Sequence, residues 1–370
     1  MMKVLFLTNV PSPYRVDFFN ELGKFCKLTV LFQKKTSDER DSSWRNYSFN
    51  NFEGIFLKGI SLNADTAFCP RVTKYIKKKI FDKIVICDYS SPTGMLAILK
   101  LRLKKIEYYI EIDGGFAKSG KGIKERVKSF FLSKASGYFS TGDEADNYLI
   151  HYGAKKELIH RYPFTSLKQK DISDNLCTIK NKNFVKKQML CDNSFVILSI
   201  GQFIPRKGFD LLLKAISDLN GIHLFLIGGK PTDEYLNIVE EGRLSNITFL
   251  PYMNKEDLDK YFTCSDIFVL PTREDIWGLV VNEAISYGLP VITTNRCLAG
   301  LELIHDDDVG KIVPKEDIES LRKSIIDYTN ENIYLSEKVE KRIKLISNYS
   351  IEKMVSAHLN VFIDKDNQMV

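Results

Sequence analysis

Pro271-Thr-Arg-Glu-Asp-Ile-Trp-Gly-Leu-Val-Val-Asn-Glu-Ala284 divides two kinds of sequence. Just before it, Asp266 to Leu270 has the length and apolar character of a buried strand. After Trp277-Gly278 the pattern turns helical and stops near Gly288. A strand, a glycine-bearing loop and a helix in immediate succession form the βα unit of a parallel sheet. The same alternation continues on both sides. Phe195 to Ile200, His223 to Ile227 (ending at Gly228-Gly229), Ile247 to Leu250 and Val291 to Thr294 read as strands, and Phe209 to Leu219 as a helix. Towards the N-terminus, strands are expected at Lys3 to Thr8, Leu28 to Phe32, Lys83 to Cys87, Glu107 to Ile112 and Gly137 to Ser140. A loop from Asn9 to Arg15 leads to a helix whose apolar positions are Phe18, Phe19, Leu22 and Phe25.

These runs form two doubly wound α/β series. The first is expected over residues 1–165 and the second over 194–348. The polar stretch 166–193 between them reads as an interdomain connection, and a helix over 349–370 is expected to return to the first domain. A chain of 370 residues with 44% hydrophobic and 27% charged residues supports two ordinary cores. Its longest apolar window, Ile84 to Leu99, is broken by Asp88 and by Ser90-Ser91-Pro92, so no membrane-spanning helix is expected. The opening apolar run Val4 to Leu7 meets Pro11 and Pro13 rather than a cleavage site, and the protein is expected to begin near Met1. Seven scattered cysteines without a CxxC pair fit reduced thiols and a cytoplasmic location. Five histidines without ligand spacing predict no metal site.

The net charge of +6 is uneven: residues 1–165 hold 28 Lys+Arg against 17 Asp+Glu, and the remainder is net acidic. A basic first half points to an anionic partner, whether a membrane surface, a phosphate-bearing acceptor or nucleic acid.

In open parallel sheets, ligands bind beyond the carboxyl ends of the strands. Gly201-Gln-Phe-Ile-Pro-Arg-Lys-Gly208 leaves one such end, and its paired Arg206 and Lys207 make either a compact cationic site for a pyrophosphate or a solvated turn. In the second loop, Trp277-Gly278 before a helix lets a phosphate approach backbone N–H groups, and Glu283 is placed to receive ribose hydroxyls. The bland alternatives are a core Trp277 and an exposed Glu283.

Together these segments resemble the GT-B retaining glycosyltransferases of family 4, whose hallmark is a carboxylate, seven residues, then Glu, followed by G-x-P-V. Here the pattern reads Asp275 through Glu283-Ala284, then Gly288-Leu-Pro-Val291, and the family's basic G-R-x-x-x-x-K-G segment is matched by Gly201-Gln202 through Lys207-Gly208. The resemblance implies two Rossmann-like doubly wound domains facing a cleft. It implies transfer of a sugar from a UDP- or GDP-linked donor to a glycan or lipid-linked glycan acceptor in bacterial surface polysaccharide synthesis. No cofactor is implied beyond the nucleotide sugar, and no metal.

Residue by residue, the resemblance assigns Lys207 to the donor diphosphate, Glu283 to its ribose, Asp275 to the transferred sugar and the Gly278 and Leu279 amides to the phosphates. The loop holding Pro13, Tyr14 and Arg15 would lie on the acceptor side, across the cleft from the donor. Three departures stand out. Asp275 replaces the usual first Glu, with Glu274 as a competing assignment. Gln202 replaces an Arg, a cation that Arg206 can supply. Asp113, in Asp113-Gly114-Gly115, stands where many members carry a His near the reacting sugar. Catalysis would then rest on Lys207, Arg206, Asp275 and Asp113, with no carboxylate pair arranged as in a retaining glycosidase.

The run Lys118 to Lys134 places Ile123, Val127, Phe130 and Phe131 on one helical face amid Lys121, Lys124, Arg126, Lys128 and Lys134. Such a helix suits peripheral contact with an anionic membrane at the inner face of the plasma membrane, and equally suits packing on its own sheet. A dinucleotide-dependent oxidoreductase is disfavoured because no glycine follows Thr8 in the first loop. A nucleotide-sugar epimerase on the same fold and a basic nucleic-acid-binding protein are the remaining alternatives. Little beyond Tyr75 among Lys74 and Lys77 to Lys79 supports the latter, so no nucleic acid is expected.

Overall fold

The computed structural model describes residues 1–36, 48–118, 120 and 122–367. The chain forms two units: residues 1–165 with 351–370, and residues 166–350.

In the first unit the strands are β1 (Lys3–Thr8), β2 (Lys27–Phe32), β3 (Glu53–Phe56), β4 (Ile60–Ser61), β5 (Ala67–Phe68), β6 (Lys83–Ile86), β7 (Tyr109–Glu111), β8 (Gly137–Ser140) and β9 (Ile159–Arg161). Seven of them make a parallel sheet in the order β3-β2-β1-β6-β7-β8-β9, while β4 and β5 pair as a small antiparallel ribbon. Near-continuous apolar runs such as Val4-Leu-Phe-Leu7 are buried because helices cover both faces of the sheet. On one face Leu5, Leu7, Ile84, Ile86 and Ile110 pack with Ala97, Leu101, Leu132 and Leu149. The other face is aromatic. Phe6 meets Phe18 and Phe19 of helix Pro13–Leu22, and Phe139 meets Phe362 of the last helix, Ile351–Asn367.

Helix Pro13–Leu22 begins earlier than the sequence pattern suggests. Pro13 takes the first helical position with its φ already set, after an extended Ser12, so Pro13, Tyr14 and Arg15 form the first turn of a helix rather than a loop. The helix ends at Leu22, which leaves Phe25 55% exposed and outside the apolar face expected to include it.

The second unit contains β10 (Phe195–Ile200), β11 (Ile222–Ile227), β12 (Ile247–Leu250), β13 (Ile267–Leu270), β14 (Val291–Thr294) and β15 (Gly310–Val313), in the order β12-β11-β10-β13-β14-β15. Counted within the unit, that is the 3-2-1-4-5-6 order of a doubly wound dinucleotide-type sheet. Ile197, Leu224, Leu226, Val269 and Ile292 form a core with Leu212, Ala215, Leu321, Ile325 and Tyr328.

The polar stretch read as a connection is largely helical, over Gln169–Ile179 and Lys182–Gln188. Its few apolar and polar anchors are used against the unit: Ile172 is buried, Asn175 Nδ2 donates to Ser286 Oγ at 2.7 Å, and Lys186 pairs with the buried Asp266 at 2.6 Å. Tertiary packing therefore overrides a weak local pattern. Among the described residues no helix is long and apolar enough to cross a membrane.

Candidate functional site

In the second unit the strand order reverses beside β10, which pairs with β11 on one side and β13 on the other. Loops leaving β10 and β13 flank the crevice that such a reversal opens. The β10 loop closes in a single turn, Pro205–Lys207, and exits through Gly208 at φ 70°, the left-handed region. A Cβ at Gly208 would stand 2.1 Å from the Pro271 carbonyl oxygen, so the two loops approach backbone to backbone only because the residue is glycine.

Arg273 then ties them together. Its guanidinium donates to both carboxylate oxygens of Asp210 at 2.8 Å, to the Pro205 carbonyl at 2.6 Å and to Glu316 at 2.6 Å. Its backbone N–H and the Thr272 hydroxyl both reach the Arg206 carbonyl, at 2.8 and 2.9 Å. Burial opposes the charge of Asp210, yet the hydrogen bonds from Arg273 hold its carboxyl below the ordinary value.

This clamp brings Lys207, Arg206 and Asp275 together. Lys207 Nζ lies 2.5 Å from Asp275 Oδ2, with the two side chains 12% and 13% exposed. Arg206 is more open. Its guanidinium stands 3.6 Å from Asp275 Oδ1 and donates to the Glu274 carbonyl at 2.8 Å. The Glu274 side chain turns to Arg296 at 2.9 Å and stays half exposed. Gln202 is exposed beside Gly201 at the end of β10.

Gly278, with φ 98°, caps helix Leu279–Ser286, and a Cβ there would meet the Cys297 sulfur at 2.9 Å. Trp277 belongs to the core: it is buried, and its indole N–H donates to Asn282 Oδ1 at 2.8 Å. Its role is to fix the loop from beneath. Glu283 lies in that helix, half-buried, and accepts a hydrogen bond from Ser166 Oγ at 2.7 Å. Burial pushes the Glu283 carboxyl above its ordinary range, against the pull of the Ser166 hydroxyl. Buried Arg342 donates to the Gly288 carbonyl at 2.9 Å just beyond the helix end, and so anchors the helix that carries Glu283.

Sequence reasoning did not find Arg273, Asp210 or Ser166 as parts of this site. Arg273 lay within the quoted loop, but its bidentate match to Asp210 depends on a contact between two loops.

In the first unit, Asp113 follows β7. Arg15 is 3% exposed and bridges Glu111 and Asp113 with its two terminal nitrogens. The Tyr14 hydroxyl lies 3.4 Å from Asp113 Oδ2, and Tyr162 donates to the Ile112 carbonyl at 3.2 Å with Asp113 Oδ1 at 3.3 Å. Pro13 is exposed. Burial and the neighbouring Glu111 push the Asp113 carboxyl up, with Arg15 pulling the other way. Glu111 and His358 complete the group, and neither was singled out from the sequence.

In helix Ile123–Leu132, Phe131 and Leu132 are buried, while Ile123, Val127 and Phe130 stay exposed. Lys121, expected beside this face, lies outside the described residues. Arg102 holds the helix in place, donating to the Phe130 and Phe131 carbonyls at 2.7 and 2.8 Å. Nearby in sequence to Arg102, Lys100 and Lys104 line a cavity of about 450 Å³ with Lys74, Lys77 and Lys78. Among the described residues no group of three or more His, Cys, Asp or Glu side chains is arranged to hold a metal ion.

A cationic turn, a glycine-capped helix N-terminus and a carboxylate about one turn into that helix follow the strands at this switch point. Residues 180–349 match the glycosyl transferases group 1 family. Most of the second unit thus resembles a glycosyl transferases group 1 domain. An uncharacterized 41.2 kDa protein in the cps region of Klebsiella pneumoniae is 30% identical over 186 residues, 49% of this chain and 48% of that protein. Across several curated relatives, this one included, the chain spans about half of their length. A longer similarity, 25% identical over 89% of this chain and 86% of its counterpart, links it to the UDP-Gal:alpha-D-GlcNAc-diphosphoundecaprenol alpha-1,3-galactosyltransferase of Escherichia coli. Anabaena HepE, solved in complex with UDP, shares the fold with a TM-score of 0.75 at 15% identity, each chain covered in full. Two units that each hold a doubly wound parallel sheet give the chain the GT-B fold.

Proposed function

We propose that the protein is a retaining glycosyltransferase that moves a sugar from a UDP- or GDP-linked donor to a glycan or lipid-linked glycan acceptor in bacterial surface polysaccharide synthesis. The observation that carries this reading is the Lys207–Asp275 pair at the end of β10 and β13, with Arg206 beside it and the Gly278 helix entry in the same loop. With a donor bound, the cation of this pair meets the diphosphate and the carboxylate meets the sugar hydroxyls. Asp275 takes the first carboxylate role rather than Glu274, because Lys207 and Arg206 both face Asp275 while Glu274 is engaged by Arg296. Glu283 receives the ribose, and the Gly278 and Leu279 amides face the phosphates. The names of relatives favour a uridine diphosphate donor and an acceptor on a lipid diphosphate.

In the reaction, the bond from the sugar's anomeric carbon to the leaving phosphate oxygen breaks and a bond to the acceptor oxygen forms on the same face. The acceptor proton passes to the departing diphosphate. Lys207, Arg206 and the helix N-terminus stabilise the charge that grows there, which is the electrostatic route that needs no protein nucleophile. Before the transfer Asp113 accepts the hydrogen bond of the acceptor hydroxyl and orients it, and the proton turns to the departing diphosphate as the new bond forms. The donor needs no metal, since these cations meet its diphosphate.

The exposed Ile123, Val127 and Phe130 among Lys124, Arg126 and Lys128, with the lysine-lined cavity in the same basic unit, suit an anionic membrane surface. The enzyme would work in the cytoplasm at the inner face of the plasma membrane. Vesicles with and without anionic lipid test this, and equal binding to both removes it.

The donor reading is tested by calorimetric titration of UDP and of GDP into the wild type and Lys207→Ala, with chelator present. Binding of one nucleotide that is lost in the variant supports it, and no binding of either overturns it. The anomeric configuration of the product, read by NMR, tests retention.

A further inference from the structure

Glu111 and His358 are both fully buried, and neither side chain touches solvent. A fold seldom removes a carboxylate and an imidazole from water without a use for them, since ions lose hydration that only good partners replace. Their partners lead to Asp113. His358 Nδ1 lies 2.8 Å from the Met354 carbonyl and Nε2 lies 3.2 Å from Glu111 Oε2, so each ring nitrogen has an oxygen facing it and Nε2 is the one turned to Glu111. The ring stacks on Phe139 at 4.2 Å and meets Phe18 and Tyr162 edge-on or tilted at 4.9 Å, which allows it little freedom. The other oxygen of Glu111 takes one arm of the Arg15 guanidinium, and the second arm takes Asp113 Oδ1.

Asp113 is where this buried chain reaches the surface, with its side chain 31% exposed. Oδ1 is held by Arg15 and lies 3.3 Å from the Tyr162 hydroxyl, whereas among the described residues Oδ2 has the 3.4 Å approach of the Tyr14 hydroxyl alone. The carboxylate is thus gripped by one oxygen and offers the other. His358 arrives on helix Ile351–Asn367, separated in sequence from the rest of its unit by all of residues 166–350. Docking of that helix therefore supplies the donor that shares Glu111 with Arg15.

We infer that His358 and Glu111 are positioning residues that, through Arg15, fix Asp113 at the end of β7 to receive the acceptor hydroxyl. The inference rests on Asp113 being the acceptor-facing carboxylate. Without the His358 donor, Glu111 draws the guanidinium to itself, and the grip on Asp113 Oδ1 slackens.

Two readouts test it. Carbon-13 NMR of aspartate-labelled protein follows the Asp113 carboxyl in wild type, His358→Leu and His358→Gln. Loss of the donor should shift its resonance and titration midpoint, and Gln, which keeps an N–H towards Glu111, should restore most of the shift; an unmoved Asp113 in a folded His358→Leu protein overturns the inference. The second readout is release of UDP or GDP from UDP-glucose, UDP-galactose or GDP-mannose to water, measured with a double-variant cycle. His358→Leu should lower kcat roughly 10- to 100-fold, as expected for a misplaced orienting group, without changing nucleotide affinity. In an Asp113→Asn background it should cost nothing more. Full additivity overturns the positioning role, whereas an Asp113→Asn enzyme with wild-type turnover removes the acceptor reading itself. Should His358→Leu fail to fold, Glu111→Gln, equal in shape, enters the same two measurements.

Discussion

At the ends of β10 and β13, Lys207 and Asp275 pair with 12% and 13% of their side chains exposed, and Arg206 stands beside them. At the end of β7, Arg15 is closed in between Glu111 and Asp113, and His358 holds Glu111 from behind. Both are cation–carboxylate groups at carboxyl ends of parallel strands, yet both partners of the first keep some contact with solvent, whereas Arg15, Glu111 and His358 in the second keep almost none. A pair held by loops at the edge of solvent suits the proposed exchange of Asp275 for a diphosphate. A buried group must keep every partner, and so serves to hold one exposed oxygen in place.

Stability is where the two should part most. Arg15→Met leaves Glu111 charged and short of a partner in the interior, and should cost about 3–5 kcal/mol in urea unfolding. Lys207→Met should cost no more than about 1 kcal/mol, since solvent and Arg206 remain to Asp275. Equal losses would erase the distinction. For function the order reverses: Lys207→Ala should lower turnover by about 10²–10³-fold with little change in melting temperature, the size seen when one donor to a developing anion is removed.

Acid sharpens the contrast next. Arg15 and His358 outweigh burial and hold the Glu111 carboxyl at about 2, below its ordinary 4.5. Its contribution to stability is therefore complete above about pH 4.5 and fades as pH falls towards 2. Unfolding curves of wild type across that window should lose stability more steeply than those of Glu111→Gln. Glu283 behaves oppositely, because burial raises its pKa. Donor affinity should begin to weaken on acidification at a pH above the ordinary glutamate range, and Glu283→Gln should lose that pH dependence along with roughly tenfold in affinity.

The loops that bring Lys207, Arg206 and Asp275 together were legible because they are two short segments whose loop and helix chemistry is local: Gly201 to Gly208 and Pro271 to Ala284. Central strands were legible for a similar reason, since burial on both faces demands unbroken apolar runs. Among the strands that escaped notice, Glu53–Phe56, Ile159–Arg161 and Gly310–Val313 lie at the edges of the two large sheets, and Ile60–Ser61 and Ala67–Phe68 form a ribbon of two edges. An edge strand is covered less and tolerates polar residues, so its pattern is diluted.

Local sequence, then, determined the doubly wound series, the switch-point loops and the pairing of a cationic turn with a spaced carboxylate, because strand burial, glycine conformation and helix entry are short-range properties. Tertiary structure alone decided that Arg273 locks those loops through Asp210, that Ser166 meets Glu283, and that Arg15, Glu111, Asp113 and His358 form one group. Residues up to 247 positions apart meet there, and charges so far separated in the chain become partners only when the core that excludes water from them has formed.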